Sequence, residues 1–273
     1  MSKDSSKNAL AGRPAADQKF FQRAIYGRFK PKADFGGPGR VIATAILIFL
    51  ISQLLAGVFV SLIVGISQPG KDIMSLLDES ASVQFFYVLL AEATAVAVVL
   101  LVLRARKLSR QAIGLIRPRF SDIWKGLVGF AVFYGLLIVV ISLLLQIFPG
   151  IDTGQEQDIG FKNLNTANDT MLAFVALVLL PPIGEEILMR GYLYSGLRSR
   201  WRFVTAGLVT SAIFGAAHLQ LGTDSTLWLA AVNTFVLSLV LVYLRERTGA
   251  LYAGMLVHAL NNFIAFGVRF HLG

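Results

Sequence analysis

The stretch MLAFVALVLLPPIGEEILMRGYLY, Met171 to Tyr194, starts as a membrane span and then sets two adjacent carboxylates and an arginine where the span would continue. Its opening residues are uniformly apolar. Pro181 and Pro182, which are expected to break or kink the span, come next, and then Glu185, Glu186 and Arg190. The chain around it is 55% hydrophobic and 15% charged over 273 residues, with a mean hydropathy of +0.67. That composition excludes an ordinary soluble domain and implies an integral membrane protein. Its apolar stretches contain helix formers and run to about eighteen residues or more without period-two alternation, so they read as helices and not barrel strands.

The expected fold class is all-α: a polytopic helical membrane protein of about seven transmembrane helices, with a catalytic core in the C-terminal four. The spans read as Val41 to Ile66, Phe85 to Leu103, Gly126 to Phe148, Thr170 to Met189, Phe203 to Gln220, Leu227 to Leu244 and Ala250 to Val268. Residues 1–40 read as a basic cytoplasmic segment and 41–273 as a single polytopic domain. No short apolar region with a small-residue cleavage site precedes the first span, so no removable signal is expected. Cysteine is absent, which leaves no disulfide framework and no thiolate chemistry.

The first forty residues carry nine Lys or Arg, the Arg104 to Lys125 segment seven, Arg190 to Arg202 four and Arg245 to Arg247 two. These basic groups fall on alternate sides of the proposed spans. The positive-inside rule then places the N-terminus in the cytoplasm and the C-terminus on the far side. The basic excess is therefore assigned to topology and lipid contact, with no nucleic-acid partner. Lys19 to Lys30, KFFQRAIYGRFK, reads either as an interfacial helix or as a basic tail. In GLIRPRFSDIWKG, Ser121 is the expected N-cap of the third span and Trp124 an interfacial anchor.

Positions i and i+4 share one face of a helix, about 6 Å apart. The second half of the chain uses that spacing three times: Glu186 with Arg190, Phe214 with His218 in FGAAH, and His258 with Asn262 in HALNN. One ionisable group in a span costs roughly 2.5 to 3.5 kcal/mol, so two glutamates, an arginine and two histidines cost on the order of 10 kcal/mol before pairing. Arg190 stacks on Glu186 and neutralises it. Glu185, about 100° round the helix, is left to face a cavity as the candidate general base. Pro182 near the start of a new helical segment would put both glutamates in its first turn, where the helix dipole favours negative charge.

Each feature alone also has a structural reading. Glu186 with Arg190 can be a plain ion pair, a lone His or Asn interhelical glue, and Phe214 packing. Glu92 and Asn233, polar intrusions in other spans, are read as structural. Convergence changes the reading, because a free carboxylate, two imidazoles and an amide on neighbouring helices are what water activation and oxyanion stabilisation require. One difficulty stands. On these spans Glu185 lies about 8 Å and His258 about 12 Å from the cytoplasmic ends of their helices, but His218 about 22 Å. Either span five is tilted or begins earlier, or the proline pair lifts the carboxylates.

EEILMR, FGAAH and HALNN resemble the EExxxR, FxxxH and HxxxN/D motifs of the CAAX protease and bacteriocin-processing family, and GLIRPRFSDIWKG resembles the segment that precedes that family's core. The resemblance covers about residues 112–268. It implies an intramembrane endopeptidase of the type II CAAX prenyl endopeptidase kind. In that reading Glu185 and His218 activate water, His258 and Asn262 stabilise the oxyanion or complete the site, Glu186 and Arg190 support it, and Phe214 lines the cavity. Glu185, His218 and His258 could together ligate zinc, or the carboxylate could act without metal. The implied partners are the lipid bilayer and a membrane-associated or lipidated peptide or protein substrate, in a bacterial plasma membrane. A non-proteolytic immunity or scaffold protein of the same family, and a transporter with an intramembrane proton path, are alternative readings.

Overall fold

The computed structural model describes residues 33–72, 75, 76, 79–150, 159–221 and 226–271. The Lys19 to Lys30 segment lies outside the described residues. Among the described residues seven main helices follow one another: α1 Pro38–Ser67, α2 Ala81–Ala105, α3 Phe120–Ile147, α4 Ala167–Arg200, α5 Phe203–Ala216, α6 Leu229–Thr248 and α7 Tyr252–His271. A two-residue antiparallel ladder, β1 Gln220–Leu221 with β2 Thr226–Leu227, is the one non-helical pairing among the described residues. The chain is a polytopic helical membrane protein.

Among the described residues five helices, α1, α2, α3, α4 and α6, are long and apolar enough to cross a membrane, where seven spans are expected. α5 has 14 residues and is about 21 Å long, short of a hydrocarbon layer of about 30 Å. α7 has the length, but His258, Asn261 and Asn262 dilute its apolar character.

The first three helices bury little. In α1 the inward stripe is Val41, Ala45, Ile48, Ser52, Ala56, Val60 and Val64, while Leu47, Leu54, Phe59 and Leu62 are exposed. In α2 it is Ala91, Ala95, Val99 and Leu103. Small and β-branched residues at a spacing of three or four let helix backbones approach, and the large apolar side chains are left for lipid. α3 meets α7 and α6 through Gly126 and Gly129, where an added Cβ would strike Leu256 and Leu244. It begins at Phe120 and not at Ser121: the Asp122 carboxylate accepts the Arg119 backbone N–H at 3.0 Å, and Ser121 lies inside the first turn. Trp124 is exposed, as an interfacial anchor requires.

α4 and α6 form the centre. Half of α6's most apolar window and 44% of α4's are buried, against 11% for α3. α4 packs on α1, α2 and α7, and α6 on α3, α5 and α7. α4 starts with a capping box, Thr166 Oγ1 accepting from Asp169 N–H and the Asp169 carboxylate accepting from Thr166 N–H. It then runs to Arg200 through two π-helical stretches, Val175–Leu179 and Ile187–Leu193.

That length corrects two expectations. Pro181 and Pro182 do not break the helix. The preceding π turn shifts the Leu180 N–H onto Val175 O, so the glutamates close a continuing segment and do not sit at a free N-terminus. The Arg190 to Arg202 segment is helix almost throughout, and three of its arginines pair with acidic residues of the chain, Arg190 with Glu186, Arg198 with Glu246 and Arg200 with Asp34. Arg245, assigned to a turn, is buried inside α6 and donates to Ser195 Oγ at 3.0 Å. The depth difference between Glu185 and His218 disappears, while His258 lies six residues, about 9 Å, into α7. Glu185 lies fifteen residues before Arg200 and His218 fifteen after Phe203, across a two-residue link. Both are therefore about 22 Å along their helices.

Candidate active site

The site forms where α4, α5 and α7 meet. Arg190 Nη1 donates to Glu186 Oε1 at 2.7 Å, with both side chains fully buried. His258, buried on α7, lies between the glutamates, its Nδ1 3.3 Å from Glu186 Oε1 and its Nε2 3.8 Å from Glu185 Oε2. A carboxylate paired with arginine only accepts, so Nδ1 of His258 carries the hydrogen toward Glu186, and Nε2 faces Glu185. The Glu185 side chain is 24% exposed against 1% for Glu186, although the Glu185 Oε2 that faces His258 is itself buried.

α5 supplies Phe214 and His218. The Phe214 ring packs edge-on against His218, with centroids 4.8 Å apart, and against His258 at 5.9 Å. The Arg190 guanidinium lies over its face at 4.2 Å. Phe214 is thus the contact shared by all three charged or polar elements, a cation-π partner as well as a wall. His218 lies in the turn just past α5. Its Nδ1 donates to Phe214 O at 2.9 Å, and this local bond sets the ring's orientation.

Glu185, Glu186, Arg190 and His258 are therefore brought together, and Phe214 links His218 to them. Asn262 is turned elsewhere, its Nδ2 donating to Leu177 O on α4 at 2.9 Å. Glu92, read as structural, belongs to this neighbourhood: its carboxylate from α2 occupies the space where Gly184 would carry a Cβ, one residue before Glu185. A glycine directly preceding paired carboxylates is the sequence signal for that close approach. Asn233 has its Oδ1 buried and without a hydrogen-bond partner among the described residues.

Two imidazoles and a carboxylate are suitable zinc donors, but no group of three His, Asp or Glu among the described residues converges as a ligand set. His258 is held between two carboxylates, and the bond from His218 Nδ1 to a carbonyl leaves Nε2 as the nitrogen that ring presents.

A second polar cluster went unread in the sequence. Arg198 donates through Nε and Nη2 to the two oxygens of Glu246, both at 3.2 Å, and Tyr194 donates to Glu246 Oε2 at 2.5 Å. All three are buried, and they join α4 to α6 beyond the site.

Residues 167–264 match the family model described as type II CAAX prenyl endopeptidase, Rce1-like. An uncharacterized 24.3 kDa protein of Escherichia coli is 34% identical over 92 residues, which are 33% of this chain and 41% of the relative. The match thus spans less than half of either protein. No solved structure matches the chain. The segment from α4 to α7 that gathers the three motifs, residues 167–264, is an Rce1-like domain of the type II CAAX prenyl endopeptidase family.

Proposed function

We infer that the protein is an intramembrane endopeptidase that hydrolyses a peptide bond in a membrane-associated or lipidated peptide. The observation that carries this reading is the asymmetric pair of glutamates around His258: Glu186 tied to Arg190, Glu185 partly open and facing His258 Nε2. Glu185 takes a proton from the attacking water, and His218, oriented by the Phe214 carbonyl, holds that water. The proton passes to His258 Nε2. The imidazolium so formed is stabilised by Glu186 on its other nitrogen, donates to the oxyanion, and returns the proton to the leaving amine. Arg190 and Phe214 keep Glu186 and the two rings in register.

The test is purified full-length protein in nanodiscs, incubated with prenylated and unprenylated membrane peptides, wild type beside Glu185→Ala. Cleavage by the wild type and not by the variant supports the assignment. Cleavage that survives Glu185→Ala removes Glu185 from the chemistry, and proton flux into liposomes abolished by the same change favours a transporter.

A further inference from the structure

α4 contains a backbone rung that its own sequence cannot fill. In an α-helix the carbonyl of Leu177 accepts from the N–H of residue 181, and in a π-helix from that of residue 182. Both are prolines and have no N–H. The remaining nearby donor, Leu180 N–H, is spent on Val175 O. At bilayer depth there is no bulk water to replace a missing partner. Asn262 on α7 supplies it, through the 2.9 Å bond from Nδ2 to Leu177 O. Asn261 Nδ2 reaches Asn262 Oδ1 at 3.3 Å, which fixes the Asn262 amide with its nitrogen toward the carbonyl.

Four residues earlier on the same face of α7, His258 meets Glu186 and Glu185. α7 therefore grips α4 on both sides of Pro181 and Pro182, at Leu177 before them and at the glutamates after them. We propose that Asn262 is a positioning residue whose amide replaces the backbone hydrogen bond deleted by Pro181 and Pro182, and so holds the glutamates of α4 at the height of His258. It acts through Leu177 and does not touch the reacting atoms. The spacing of four between His258 and Asn262 then reflects two grips on one helix. The catalytic half of this claim rests on the peptidase reading, whereas the clamp itself does not.

The experiment is a double-mutant cycle on the full-length protein in detergent, with Asn262→Leu, Pro181→Ala and their combination. It reads the thermal unfolding midpoint and, on a peptide cleaved by the wild type, kcat and KM. Pro181→Ala gives Leu177 O an N–H four residues on. Asn262→Leu alone is expected to lower the midpoint and to reduce kcat by about tenfold with KM little changed, on the order expected when one buried carbonyl loses its donor. In the Pro181→Ala background both losses shrink to less than about half, because the carbonyl no longer depends on the amide. An equal midpoint loss in both backgrounds overturns the clamp. A midpoint that recovers while kcat stays low overturns the positioning role, since the amide then acts at the reacting centre itself. If Pro181→Ala does not fold, Pro182→Ala, which offers an N–H to the π rung, takes its place. If no peptide is cleaved by the wild type, the peptidase reading fails and the midpoint cycle alone decides the clamp.

Discussion

Two buried arginine-glutamate pairs anchor α4, and they are built in opposite ways. Arg198 and Glu246 are joined by two parallel bonds at 3.2 Å, Tyr194 adds a third, and Arg198 Nη1 donates to Trp201 O at 3.1 Å. Arg190 and Glu186 share one bond at 2.7 Å, while Arg190 Nε and Nη2 and Glu186 Oε2 are buried without a hydrogen-bond partner among the described residues. A saturated pair repays its desolvation through geometry and fixes two helices. An unsaturated one keeps electrostatic potential in reserve, directed at His258 and Glu185. The first is suited to hold and the second to react.

The largest effect that separates them lies at Glu185. Glu185→Gln should lower kcat by about 10² to 10⁴-fold with the unfolding midpoint little changed, in steady-state cleavage and thermal scans run side by side. Next come the arginines. Arg198→Met should destabilise by about 3 to 5 kcal/mol, because it strands Glu246 in a buried position, while activity per folded molecule persists. Arg190→Met should cost less stability, since His258 still donates to Glu186, and should lose most of the activity. The comparison collapses if the two variants lose stability and activity in the same proportion.

Gly184→Ala should cost about 1 to 3 kcal/mol, because its Cβ would enter the space of the Glu92 carboxylate. Adding Glu92→Ala should return most of that loss, measured as the midpoint of the double variant against each single one.

The smallest effect belongs to an exposed pair. The backbone N–H of Gly36, and then Arg200, hold the Asp34 carboxyl below the usual carboxylate range. A depressed carboxyl stabilises the fold above its unfolded value and loses that contribution as pH falls through its folded value. The midpoint difference between wild type and Asp34→Asn should be slight, flat at neutral pH, and should shrink below about pH 4.

What could be read from the sequence was local. The spacing of four and the cost of charge in a span single out Glu186 with Arg190, and leave Glu185 apart, before any tertiary contact is considered. The extent of α4 was hidden, because Arg190, Arg198 and Arg200 resemble solvated loop charges until their partners are known. Two of those partners, Glu246 and Asp34, lie 48 and 166 residues away. The resemblance implies that Asn262 stabilises the oxyanion or completes the site, whereas its partner on α4 is the Leu177 carbonyl, a backbone group that the spacing of side chains does not reveal. The signal was nonetheless present, since two consecutive prolines inside an apolar helix must leave a carbonyl in need of a donor. Glu92 was set aside for a similar reason: its role depends on a missing Cβ on another helix.

α5 also bears on where the reagent comes from. Around a helix shorter than the hydrocarbon layer, the bilayer thins or water reaches the free end. In this molecule that end is the turn carrying His218, so the apolar slab is most readily hydrated beside the imidazole proposed to hold the hydrolytic water.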